Sequence, residues 1–406
     1  MEISCSSKRE IWKIPESGQA YLAGYWSPEK GLTPQPTYVK WQAGKIIALE
    51  SIDEPQNTLA NKDPMSLTSQ EVFSWDSYYL MPGWLDAHVH LALDSLDFYQ
   101  CLDNWARPEL IDENIKKYLR DYLTRGIVAI RDGGDLPGFA WQAKQKVDSG
   151  QWQGPQILSV REAVNRQGKY GRFLGRGFKT ISDWKDQQEA FFTQGLDQLK
   201  IVVTGIIKFD TYGVVGPVQW SVGDLKELVK SAHDRGISVM AHASGAEGIS
   251  VAIEADVDSV EHGYYLRTEQ LKRMQAKKIA WVPTVAPIGN ILKYDVERYS
   301  EQEKAVLTQI LQRHLAKIQE AFQLGVLIGV GTDAGAFLVP HGDGFFDELS
   351  WLIEAGLPKD EVLRRGTQGN ARIFGWPNLG TLKIGSTMNQ LQLNSNPYNF
   401  IDHVHN

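Results

Sequence analysis

The sequence predicts an α/β protein built on a parallel (β/α)₈ TIM barrel, with a small β-structure drawn from both chain ends beside it. Three observations lead there. From Met81 onward, short apolar runs alternate with amphipathic helical segments. Chemistry-bearing residues fall at the C-terminal ends of those runs. Both ends of the chain have strand texture and no helical pattern of useful length.

Residues 1–80 read as strands and turns. Tyr21-Leu-Ala-Gly, Thr37-Tyr-Val-Lys-Trp and Lys45-Ile-Ile-Ala-Leu-Glu are strand-like and broken by Gly and Pro. Glu54–Gln70, polar and containing Pro55 and Pro64, is expected to be a surface loop. Over 81–376 the first apolar run ends in Asp86-Ala-His-Val-His90. The next are Gly126-Ile-Val-Ala-Ile-Arg131, Gln156-Ile-Leu-Ser-Val160, Leu199-Lys-Ile-Val-Val203 and Ile237-Ser-Val-Met-Ala241. Val257-Asp-Ser-Val260, Ile279-Ala-Trp-Val282 and Val326-Leu-Ile-Gly-Val330 bring the set to eight. Helical patterns lie between them at 114–125, 222–235, 246–255 and 301–324, and a last one covers 359–374. Gly126, Gly236 and Gly325 stand where three of these stop. Eight such units predict a barrel rather than a doubly wound sheet, and no Gly-x-Gly-x-x-Gly follows the first strand. Residues 377–406 return to strand texture, as in Met388-Asn-Gln-Leu-Gln-Leu, and are expected to pair with the first segment.

Composition narrows the function. The 406 residues carry 42 basic and 49 acidic groups, net −7, with no long run of either sign. That argues against nucleic acid, whose phosphates need a clustered basic face. Cys5 and Cys101 give neither a disulfide framework nor a Cys metal site. No stretch approaches the roughly 18 apolar residues of a membrane span. The first ten residues lack the apolar core of a secretion signal, so a cytoplasmic location is expected. A homo-oligomer is compatible with such a fold, although no surface pattern in the sequence argues for one.

The chemistry sits at the ends of the runs. In a strand His88 and His90 face the same way and can hold one ion between them. Lys200 lies in the fourth run, His242 ends the fifth, His262 the sixth and Asp333 the eighth. A parallel barrel gathers these ends on one face. Four imidazoles and a carboxylate suit divalent zinc or a neighbouring metal, and their number suggests two ions. An ammonium at Lys200 would be costly in an apolar strand. Carbamylation by CO₂ would make it an anionic ligand able to bridge two metals. Asp333 is suited to ligate a metal and to take a proton from a metal-bridging water, whose pKa the ion lowers to ~7. The same carboxylate can then protonate a leaving nitrogen as general acid. Arg166, Lys169, Tyr170 and Arg172 are candidates to cradle a substrate carboxylate. Tyr264, Tyr265 and His341 are candidate pocket residues, and Arg131 with Asp132 a supporting pair. His233, His314, His403 and His405 read as solvated.

These residues, in this order, resemble the binuclear-metal amidohydrolase superfamily, and its Xaa-Pro dipeptidase-like and imidazolonepropionase-related branch in particular. The phrases that match are Met81-Pro-Gly-Trp-Leu-Asp-Ala-His-Val-His-Leu, Val239-Met-Ala-His-Ala, Val257-Asp-Ser-Val-Glu-His-Gly263 and Gly331-Thr-Asp-Ala-Gly335. The resemblance implies a barrel at 81–376 with a composite β-sandwich domain formed from 1–80 and 377–406. It implies that His88, His90 and Asp333 hold one ion, that His242 and His262 hold the other, and that carboxylated Lys200 bridges two divalent ions, zinc foremost. It also implies hydrolysis of non-ring amide bonds in small substrates such as dipeptides and N-acyl amino acids. Two phrases depart from the pattern. Ile384-Gly-Ser-Thr-Met-Asn389 replaces a Gly-Lys-x-Ala-Asp-like phrase, so a reduced end domain is expected. Gln167-Gly-Lys-Tyr-Gly171 replaces a Gly-Gly-His-Gly phrase that helps bind substrate, which leaves the metal set intact and the substrate open. The alternative on the same site is a cyclic amidase, lactonase or deaminase. A non-catalytic metal protein is disfavoured, because all six metal positions are filled.

Overall fold

A computed structural model describes residues 14–52 and 72–399 of the chain. The loop expected at Glu54–Gln70 lies outside the described residues, as do Cys5, His403 and His405. Seven of the eight apolar runs form strands, in two parallel sheets. One sheet orders Trp84–Val89, Ile127–Asp132 and Gln156–Ser159. The other orders Ala280–Val282, Ser259–His262, Val239–Ala243 and Leu199–Val202. Strands such as Ile127–Asp132 and Val239–Ala243 are buried at every position. That is why they read as continuous apolar runs: helices cover one face and the interior fills the other. Isolated parallel bridges, Val164↔Ile201, Trp281↔Ile328 and Val89↔Ala334, link the two arcs.

The eighth run, Val326–Val330, is not a strand. Ala87 N still donates to Val330 O at 2.8 Å, and Trp281 N to Leu327 O at 2.8 Å. Gly329 N likewise donates to Trp281 O at 2.8 Å, and at Val330 one side chain takes the place of a neighbouring strand. Asn370 Oδ1 accepts from Val330 N at 3.0 Å, while its Nδ2 donates to Val330 O at 2.7 Å and to Leu85 O. The expected single helix at 359–374 is broken for the same purpose. It runs over Lys359–Arg364, widens into a π-helical turn at Arg365–Gly369 and resumes over Asn370–Ile373. The extra residue in a π turn changes which face the next residue presents, here Asn370.

The other helical expectations hold within a residue or two, except that the first helix begins earlier, over Pro108–Thr124. Further helices at Phe139–Asp148, Ile181–Thr193, Thr268–Lys277, Ala286–Lys293 and Asp343–Glu354 were not marked by the pattern. Beside the parallel sheets lies a six-stranded sheet that joins both sides of the sequence. Its order is Leu391–Asn394, Val72–Pro82, Gly18–Ser27, Thr37–Gln42 and Lys45–Ser51, and Gly31–Thr33 pairs with Gly18–Ser27. Trp41 and Trp75 stack at 5.9 Å in its own apolar cluster, which Leu382, Met388 and Leu391 complete.

Candidate metal centre and its cavity

His88 is the best-supported group of the site. Its Nδ1 lies 2.7 Å from Glu261 Oε2, and Arg131 grips both oxygens of Glu261 at 2.9 and 2.8 Å. Arg131 also donates to Ala87 O at 2.5 Å and to Ser259 Oγ at 3.1 Å, and all of these side chains are buried. Burial holds the His88 imidazole neutral, well below its usual pKa. A neutral ring facing a carboxylate through Nδ1 carries its proton there, which leaves Nε2 as a bare lone pair. Arg131 was expected to pair with Asp132 and does not. Asp132 instead accepts from Leu91 N and Gly134 N, both at 2.8 Å, and so ties the backbone just after His90 to the turn at Gly134 that the His90 ring faces.

His90 Nδ1 lies 3.3 Å from Gly134 O. Its ring occupies the space a side chain at position 133 would need: a Cβ there would stand 2.5 Å from His90 Cε1, so glycine is required. Asp333 Oδ1 is 3.6 Å from His88 Nε2 and 3.5 Å from His90 Nε2. The ligand atoms of these three residues lie within 4.8 Å of one another. Asp86 ties the first strand to the segment carrying Asp333, accepting from Thr332 N at 3.1 Å and Thr332 Oγ1 at 2.8 Å.

His262 Nδ1 lies 2.8 Å from Thr284 Oγ1. The His242 and His262 rings are 4.5 Å apart, and His262 is 5.1 Å from His88. His242 Nε2 is buried with no hydrogen-bond partner, a costly state for an imidazole nitrogen unless an ion completes it. Lys200 Nζ is 3.3 Å from His88 Nε2, and burial lowers the Lys200 pKa to about 8. Burial likewise brings His90 and His242 down to about 3 and raises Asp333 to about 6, against the opposing pull of Lys200. The donor set therefore fits metal: four neutral imidazoles, an acid and an amine whose pKa burial lowers. His262 and Asp333 both hold left-handed backbone, φ 67° and 58°, where a non-glycine residue is strained.

Above this floor opens a cavity of about 370 Å³. Tyr170 and Tyr264 line it, as expected. The Tyr170 ring is 5.4 Å from His242, and Tyr264 donates its hydroxyl to Thr284 O at 3.2 Å. Arg172 is exposed and outside the lining, and Arg166 packs on the Trp220 ring. His341 is outside the lining too. Both its nitrogens are engaged, with Tyr122 Oη at 2.9 Å and Leu93 O at 2.8 Å, so it braces the loop after the first strand. His314, expected on a solvated face, is buried against Trp281 and Tyr264. Reading the sequence alone missed Asp94, Cys101, Arg298 and most of the apolar lining.

A model described as the amidohydrolase family matches residues 79–389. Ochratoxinase of Aspergillus niger is 25% identical over 354 residues, covering 78% of this chain and 70% of that one. A Xaa-Pro dipeptidase structure with methionine bound in its active site superposes with TM-score 0.79 at 20% identity, over 96% of this chain and 97% of that one. A putative prolidase from Bifidobacterium longum gives 0.77 at 24% identity, over 97% and 91%.

Proposed function

The chain belongs to the amidohydrolase family and is a hydrolytic enzyme, and from that premise we propose that it cleaves non-ring amide bonds in dipeptides or N-acyl amino acids. In this reading the two parallel arcs and their bridges are one (β/α)₈ barrel, 81–376. The sheet built from both sides of the sequence is its composite end domain, 1–80 with 377–406. His88, His90 and Asp333 would hold one divalent ion, His242 and His262 a second, and carboxylated Lys200 would bridge them. Two such ions, zinc for preference, would supply a Lewis acid and an acidified water.

The observation that supports this best is the orphaned Nε2 of His242, beside three imidazoles whose Nδ1 atoms are engaged elsewhere. The lowered pKa of Lys200 adds to it, since CO₂ adds only to a neutral amine. Asp333 would accept the proton of the attacking water and deliver it to the leaving nitrogen. Its Oδ1 lies between the two rings, 3.6 Å from His88 Nε2 and 3.5 Å from His90 Nε2. Tyr264, its hydroxyl committed to Thr284, walls the cavity rather than reaching for a carbonyl. A deaminase would need an acid facing an amidine; the acid lining the cavity outside the metal floor is Asp94, whose Oδ1 already accepts Leu96 N at 3.0 Å.

Elemental analysis of protein purified without added metal or chelator tests the centre. About two equivalents of zinc or a similar ion per chain are expected for a bridged pair. About one would mean an uncarboxylated Lys200 and turn attention to cyclic substrates and deamination. None, even after reconstitution, would overturn the metal assignment.

A further inference from the structure

The cavity above the floor is lined by rings in two strings of edge and tilted contacts. In one, Phe98 meets Phe173 at 4.9 Å, Phe173 meets Tyr170 at 5.9 Å, and Tyr170 reaches His242. In the other, Phe209 meets Tyr299 at 5.8 Å and Tyr299 meets Phe337 at 6.3 Å. These rings come from segments following the first, third, fourth, seventh and eighth runs, so the loops converge on one aromatic enclosure. Rings held against rings leave faces that a flat apolar group can cover by offset or edge contacts. Such a cavity rejects a small polar acyl group by leaving its own apolar surface wet.

One cation stands among them outside the floor. The Arg298 guanidinium lies 4.9 Å over the Phe337 ring and lines the cavity. Among the described residues no carboxylate pairs with it, whereas Arg125, Arg131, Arg176 and Arg364 all have acidic partners. Contact with the Phe337 ring holds the guanidinium at the cavity wall, and with no acid beside it its N–H groups can take a carboxylate bidentately.

We propose that the substrate is an N-acyl amino acid with a large aromatic acyl group, the acyl group in the ring-lined cavity and the free carboxylate on Arg298. This rests on the amide-hydrolase reading and adds to it the substrate's two end groups. The departure at Gln167-Gly-Lys-Tyr-Gly171 fits, because this chain brings Tyr170 to the cavity and its carboxylate contact from a different loop.

The test uses three compounds with the zinc-loaded enzyme: N-(2-naphthoyl)-L-alanine, N-acetyl-L-alanine and N-ethyl-2-naphthamide, which lacks the carboxylate. Hydrolysis and equilibrium binding are both measured, for the wild type and for Arg298→Gln and Arg298→Lys. The naphthoyl amino acid should be preferred to each of the other two by about tenfold or more. Arg298→Gln should raise KM and Kd for the naphthoyl amino acid by about tenfold, without changing those for N-ethyl-2-naphthamide. Arg298→Lys should retain part of the difference. If Arg298→Gln keeps the preference for the carboxylate, the role of Arg298 is wrong. If acetyl and naphthoyl compounds bind alike, or none binds, the aromatic cavity is not an acyl site. Arg298-dependent binding with no hydrolysis of either amino acid derivative would uphold the binding site and refute the amide-hydrolase reading instead.

Discussion

The floor and the rim of the cavity are built by opposite means. On the floor, the rings of His88, His90 and His262 each have a polar partner behind them, and Glu261, Arg131 and Ser259 are themselves saturated and buried. The rim is made of rings and aliphatic chains from several loops, touched by few hydrogen bonds, with Arg298 exposed on a stack. Buried hydrogen-bonded networks fix geometry within narrow limits, whereas apolar loops tolerate exchange of one shape for another. On the proposed function, reaction chemistry and substrate choice would be held by different kinds of interaction, and each could be altered alone.

The largest break would come on the floor. Asp333→Asn should cut turnover by about 10³-fold or more while the far-ultraviolet circular dichroism stays unchanged; retained turnover would remove Asp333 from its proton-transfer role. Lys200→Ala should lower activity by at least about 10²-fold along with bound metal, and added short carboxylic acids should restore part of both. Full activity and metal in that variant would end the bridging model. Glu261→Gln leaves Arg131 buried without its counter-charge, so denaturant unfolding should show a loss of about 3–5 kcal/mol. Metal affinity should fall about 10- to 100-fold with it, because His88 exchanges a carboxylate acceptor for a weaker, uncharged amide. An unchanged midpoint would mean that the floor is less rigidly determined than its hydrogen bonds indicate.

The smallest effect sharpens the contrast from the rim side, where one acid serves as a strut. Glu348 accepts from Val285 N at 3.0 Å and Ala286 N at 2.8 Å, holding the start of the helix that supplies Ile288 and Ile291 to the cavity. Burial raises its pKa from 4.5 to about 8. The folded state therefore keeps a proton that the unfolded chain releases above its own pKa. The stability this group gives is whole below pH 4.5 and is lost as pH rises towards 8, each pKa unit being worth at most roughly 1.4 kcal/mol. Glu348→Gln should flatten the fall of Tm between pH 5 and 8. An equally steep curve would place the titration elsewhere.

The floor was legible in the sequence and the rim was not. His88 and His90 follow strand alternation, and His242, His262 and Asp333 each close a run, so local pattern and the parallel run of the strands bring them together. Arg298 and Phe337 follow no period and lie in loops, where position depends on how distant segments meet. The eighth run has the composition of a strand but keeps only a few ladder bonds, and Asn370, 40 positions on, takes both backbone groups of Val330. His314 was legible but misread. It follows Leu307 and Leu311 and precedes Ile318 at helical spacing, on the buried face of Glu301–Gln323. His341 looked like a site residue from its nearness to Asp333, but the chain turns in between and both its nitrogens are spent on bracing.

The left-handed backbone at His262 and Asp333 sets two demands against each other. Glycine would relax either position by about 1 kcal/mol, the usual cost of that conformation for a residue with a Cβ. A laboratory selection for heat resistance alone would therefore drift towards glycine at these two positions, and its survivors would be sturdy and inert. Any effort to harden this protein must hold both positions fixed and seek its gains elsewhere.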